Sequence, residues 1–150
     1  MTSSVSSSTK TVPLISSGSA GPLGAIHLPR LWTKLTLGNA GMLPDGHDYC
    51  GQGFDKMTIS GLGLDRDKVI AFVKTSKPTY VQFEEWVKAN GKLDADTIKK
   101  HNDAVHGYNH GDDTVKRIQG DIGLKNSSVK DAVTLNILED LHDLHVMAAK

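Results

Sequence analysis

Four sets of residues in this chain are of types that do chemistry. The first lies in "IHLPRLWTKL", Ile26–Leu35, where His27, Arg30 and Lys34 sit close together at the start of a short apolar-faced segment. A helix start carries partial positive charge, so a cation in its first turn is disfavoured by a few tenths to about 1 kcal/mol. Arg30 is therefore either exposed or offset by an anion. That anion would be a ligand carboxylate or phosphate, helped by the free N–H groups of the helix start, or an internal acid such as Asp48 or Asp55. The second set is "HDYC", His47–Cys50, a titratable base and a thiol. Cysteine–histidine catalysis needs the two adjacent in space and the thiol pKa lowered; a lone cysteine otherwise behaves as a small buried hydrophobe. The third is His101, His106, His110, Asp112 and Asp113, nitrogen and oxygen donors that match no established metal template. They read as a solvated loop, with metal binding as an alternative function. The fourth is "EDLHDLH", Glu139–His145. It has the Glu-x-x-His spacing of di-iron bundles but lacks the second motif and the two further glutamates such a site needs, so His142 and His145 read as helix-edge residues.

The elements that must position these residues are helical. The chain has 150 residues and a formal net charge of zero, enough for one domain with a real core. It has no basic stripe, which argues against nucleic acid, and no apolar run near the ~20 residues of a membrane helix. Its single cysteine, Cys50, excludes an intrachain disulfide and fits a reducing, cytoplasmic setting. Residues 1–20 are serine-rich and read as a disordered tail whose apolar anchor is Val12–Ile15. A partner subunit or the chain's own domain, residues 21–150, would receive that anchor.

Pro29 suits a first helical turn, with Leu31, Trp32 and Leu35 inward and Gly38 as a stop. Gly38–Phe54 reads as a glycine-rich loop, and a short helix follows around Lys56–Ser60. Asp65 caps a helix that buries Val69, Phe72 and Val73. Thr79 and Gln82 form a capping box ahead of Phe83, Trp86 and Val87. Asp94 caps a helix with Ile98, Asn102 and Val105 on one face. A weak helix covers Thr114–Ile122. Ser128 opens the longest one, whose Val133, Ile137, Leu141 and Leu144 make the strongest amphipathic pattern in the chain. Strand signals are poor throughout. The fold class is all-α, a small irregular domain of five to seven helices around a glycine-rich loop.

Read in order, "GAIHLPRLWTK", "YCGQGFD", "GLGLD", "FEEWV" and "IKKHN" resemble the bacterial domain-of-unknown-function family 5069 over about residues 22–105. The resemblance implies recurrent polar positions at Pro29, Arg30, Lys34, Cys50, Asp55, Asp65, Trp86 and Asn102. The acid this family often has before the lysine is Thr33 here. No activity comes with the family. If Arg30, Lys34, Cys50, Asp55 and Asn102 meet, they form one polar pocket with His27, in which Asp55 is the natural counter-charge for Arg30. The first functional expectation is a pocket for a small anionic molecule, with no cofactor. The alternative is a non-catalytic oligomerisation or interaction module, with homo-oligomerisation through the tail and the last helix.

Overall fold

A computed structural model describes residues 9–150. Among the described residues there are seven α-helices and no strand, with one isolated antiparallel bridge between Asn109 and Asp131. In chain order they are α1 (Leu28–Asn39), α2 (Phe54–Gly61), α3 (Arg66–Ser76), α4 (Tyr80–Asn90), α5 (Ala95–His106), α6 (Asp112–Ile122) and α7 (Ala132–Ala148). The all-α expectation holds. Among the described residues no helix is long and apolar enough to cross a membrane.

Several starts are set by side chains that accept otherwise orphaned N–H groups. Asp65 accepts from Lys68, Asp94 from Thr97, and Thr79 and Gln82 close a reciprocal capping box. Asp131 accepts from Thr134, so α7 begins at Ala132 rather than at Ser128. Gly38 does not stop α1, which runs to Asn39; it is small because a Cβ there would collide with the Tyr49 ring.

Helix α1 packs against α3 and α4, α2 against α5, and α6 against α7. The main core joins Leu28, Leu31 and Leu35 of α1 to Ile59, Leu62, Val69, Val73, Phe83 and Val87, with Trp86 stacked on Phe72 at 4.8 Å. Two smaller clusters continue it. Ile26, Phe54, Val105 and Ala132 sit beneath the start of α1, and Val115, Ile118 and Leu135 lie between α6 and α7.

Two expectations are corrected here. Residues 9–20 are not a separate tail: Val12 and Ser17 are buried, Thr11 N–H donates to the Met42 carbonyl, and Ser19 carbonyl accepts from His27 N–H. Residues 1–8 lie outside the described span. Of the apolar anchor, Val12 is buried whereas Leu14 and Ile15 are exposed. The apolar stripe of α7 is likewise not its buried face. Ile137, Leu141 and Leu144 are exposed, and the buried positions are Ala132, Leu135 and Asp140. The inward face carries Asp140 with Ala132 and Leu135, and Asp140 makes an ion pair there with Arg30.

Two glycines separate crowding from backbone freedom. A methyl at Gly91 meets the Leu62 carbonyl oxygen at 2.6 Å, whereas one at Gly120, inside α6, meets nothing within 4 Å. Gly91→Ala is expected to destabilise by about 1–3 kcal/mol, and Gly120→Ala to stabilise by about 0.5–1 kcal/mol. Urea midpoints of the two variants check both signs.

Candidate functional site

The site is built from the N-terminus of α1 outwards. His27 holds the cap position in a left-handed conformation, φ 67° and ψ −22°. That backbone costs a non-glycine residue on the order of 1 kcal/mol or more, so its surroundings must hold it there. They do so on every side. Its ring packs on Phe54 at 5.6 Å between centroids, its Nε2 lies 2.7 Å from Asp55 Oδ1, and its Nδ1 lies 3.0 Å from Ser17 Oγ. Burial lowers its pKa, outweighing the hydrogen bond and charge of Asp55. The neutral tautomer that satisfies both partners carries its proton on Nε2, donates to Asp55 and accepts from the Ser17 hydroxyl.

Asp55, at the start of α2, is the hub. Besides His27, it accepts from Lys34 Nζ at 2.6 Å and from Gly51 N–H at 2.9 Å. Burial opposes its ionisation, but the His27 hydrogen bond and the Lys34 charge prevail, and its carboxyl titrates at about 2. The Gly51 bond ties the connection between α1 and α2, residues 40–53, to the same carboxylate.

Arg30 does not pair with Asp55. Its counter-charge is Asp140 on α7, held by two parallel bonds, Nη1 to Oδ2 at 2.6 Å and Nη2 to Oδ1 at 3.2 Å. Nη1 also lies 2.7 Å from the Pro13 carbonyl and 2.9 Å from that of Ile15. Arg30 is only 7 % exposed. The cation in a first helical turn is thus offset from inside the protein, by a carboxylate 110 positions away in sequence.

Two of the expected pocket residues lie elsewhere. Asn102 Nδ2 donates to the Gly24 carbonyl at 2.8 Å, and its Oδ1 accepts from Ile26 N–H at 3.0 Å. Its neighbour His101 bonds the Ile26 carbonyl through Nε2 at 2.9 Å. Helix α5 therefore staples the turn that delivers His27, and Asn102 supports the site without lining it. Cys50 belongs to the main core, and burial followed by the Asp55 charge pushes its thiol pKa up. It is a packing residue and not an activated nucleophile, while His47 lines the cavity described below and bonds Asp143 at 3.0 Å. The histidine set also disperses: His101 is buried under α1, His106 is exposed, and His110 lies between α5 and α6. Among the described residues no group of three or more His, Cys, Asp or Glu side chains is arranged to hold a metal.

His27, Arg30, Lys34 and Asp55 do line one cavity, of about 350 Å³. Its other walls are Asp48 and the loop glycines, Tyr108 and His110 after α5, Arg117 of α6, and Asn136, Glu139, Asp140 and Asp143 of α7. Ser17, His27 and Asp55 are joined in the order of a hydrolytic triad, but Ser17 is sealed at 1 % exposure and does not reach the cavity. It positions His27 and attacks nothing. The chain has no match among protein-family models, curated proteins or solved structures, so the reading of the cavity rests on its geometry.

Two outcomes follow. Arg30→Ala leaves Asp140 buried without a partner and is expected to cost about 3–5 kcal/mol, whereas the paired change Arg30→Met with Asp140→Leu regains most of that. Denaturant titration of the three proteins measures it, and a loss below about 1 kcal/mol for Arg30→Ala contradicts the clamp. Acidification is expected to act in two stages. Below the ordinary histidine value of 6.5, unfolded His27 and His101 bind protons that the folded state refuses, so stability falls as pH falls. From the unfolded Asp55 value of 3.8 down to about 2, the stability contributed by ionised Asp55 is then lost. Urea midpoints against pH show both stages in the native chain; Asp55→Asn shrinks the second to what the Asp94 and Asp131 caps contribute, whose carboxyls are also lowered by the N–H and hydroxyl groups they accept from.

Proposed function

We propose that the protein binds a small polar molecule in the cavity between α1, the 40–53 connection and α7. The observation that carries this reading is the division of labour among the lining groups. Arg30 with Asp140, Lys34 with Asp55 and His47 with Asp143 bond one another across different segments and tie the walls in place. Asp48, Glu139, Asn136 and the Tyr108 ring line the space that remains. At about 350 Å³ the cavity falls within the ~300–1,000 Å³ of small-molecule sites. Walls fixed by their own ion pairs need no reorganisation to receive a ligand.

An alternative reading, self-association, is favoured by a separate observation. Ile137, Leu141 and Leu144 of α7 are exposed, as are Leu14 and Ile15 of the segment that Arg30 holds near Asp140. Light scattering across a concentration series tests it: a monomer at all concentrations excludes it.

Binding is checked by amide NMR with millimolar small acids, amines and polyols. The expected outcome is saturable shifts confined to the lining residues, and their loss in Asn136→Phe, which fills the cavity from α7. No response from any compound class overturns the reading.

A further inference from the structure

We propose that the cavity recognises a positively charged amine, with Asp48, Glu139 and Asp143 around the ammonium and the Tyr108 ring as its aromatic face. This rests on the reading that the cavity binds a small molecule and names the class of that molecule.

The charges inside the cavity are unevenly spent. Five carboxylates line it against three cations. Arg30 is saturated by Asp140 and two carbonyls, and Lys34 is tied to Asp55. The third cation, Arg117, pairs with Asp121 of its own helix at 3.4 Å. Neither buried cation is left to take an anion. The uncommitted charge is negative and comes from two facing segments, Asp48 from the 40–53 connection and Glu139 with Asp143 from α7. Glu139 and Asp143 are four residues apart, so they share a helix face one turn from each other. Asp143 has one oxygen engaged by His47 and the other left over.

The surroundings of Glu139 point to the same class. Its carboxyl is pushed up first by burial, against the lowering effect of Arg117, and further by the charges of Asp143, Asp140 and Asp121. An ammonium entering among these groups relieves a crowding of like charge that an anion would add to. A second, independent feature is the ring wall. Phe54 and Tyr108 meet edge to face at 5.7 Å, and Tyr108 meets His110 in the same way at 5.8 Å. Tyr108 is 45 % exposed while lining the cavity, and the face of such a ring attracts a cation. His110 adds a hydrogen-bonding group beside Asn136, which interacts with its ring, for its Nε2 is buried with no well-formed hydrogen bond among the described residues. An N–H or hydroxyl of the ligand would satisfy it.

The test uses three molecules of matched length on the full chain at low ionic strength: putrescine, 1,4-butanediol and succinate. Calorimetry gives the affinities, and amide NMR locates the site. The expected result is putrescine bound at least about tenfold more tightly than either of the others, with shifts at Asp48, Tyr108, Glu139 and Asp143. Glu139→Gln and Asp48→Asn each weaken it about tenfold, with amide spectra that remain those of the folded chain. Tighter binding of succinate or butanediol at the same residues overturns the amine assignment and leaves the cavity reading standing, as does unchanged putrescine affinity in both variants. Failure of all three to move the lining residues overturns the amine assignment. The cavity reading itself falls only if the wider set of acids, amines and polyols fails as well.

Discussion

A guanidinium taken out of water needs its donors engaged, because an uncompensated buried charge costs several kcal/mol. At Arg30 that requirement organises much of the molecule. The carbonyls of Pro13 and Ile15 must be in place, so a serine-rich segment that has little reason to order itself is laid along α1. Asp140 must be in place, so α7 docks with that carboxylate inward beside Ala132 and Leu135, and leaves Ile137, Leu141 and Leu144 outside. Ordering the segment brings Ser17 to His27, His27 to Asp55, and Asp55 to both Lys34 and Gly51. In a low-dielectric interior such linked polar contacts reinforce one another, and the loss of one is felt through the rest.

The same network explains why the cavity is polar and still open. Charges on its walls meet across segments and not across the middle, so the centre is left unfilled while the rim is rigid. The strained backbone at His27 is the local cost of this arrangement. It persists because both ring nitrogens, the backbone N–H and the ring face are all engaged. Walls held this firmly would lose little entropy on receiving the small molecule proposed above.

Much of the helical frame was legible in the residues. Asp65, Thr79–Gln82 and Asp94 announce three helix starts through local chemistry, and Leu31, Leu35, Phe83 and Val87 mark buried faces by spacing alone. Local signals failed where a distant partner decided. The spacing of Ile137, Leu141 and Leu144 indicates an inward stripe, but nothing near them shows that Asp140 must reach Arg30. Part of the site was visible for the same reason that part was hidden. His27, Arg30, Lys34 and Asp55 stand out as polar residues in or next to apolar-faced segments, and they do converge on one cavity. Asn102 stands out equally, yet serves the turn before α1. Glu139, Asp140 and Asp143 lie in a stretch that stands out only for its Glu-x-x-His spacing, and Tyr108 carries no local mark; none of this shows that they reach the cavity, because their place depends on how α7 and the link after α5 return to the first helix.

The span of the Arg30–Asp140 pair also sets an order of assembly. The main core, from Ala25 to Leu93, is made of neighbours in the chain and can close early. The contact that shuts α7 onto α1 joins positions 110 residues apart, so its loop-closure entropy must be met before it gives anything back. The cavity has no counterpart in a half-folded chain; it comes into being with the last closure. In the folded protein the reverse holds: release of the long-range contacts of α7, Arg30–Asp140 together with His47–Asp143, is a sub-global opening that dissolves the site while the α1–α4 core keeps its own contacts.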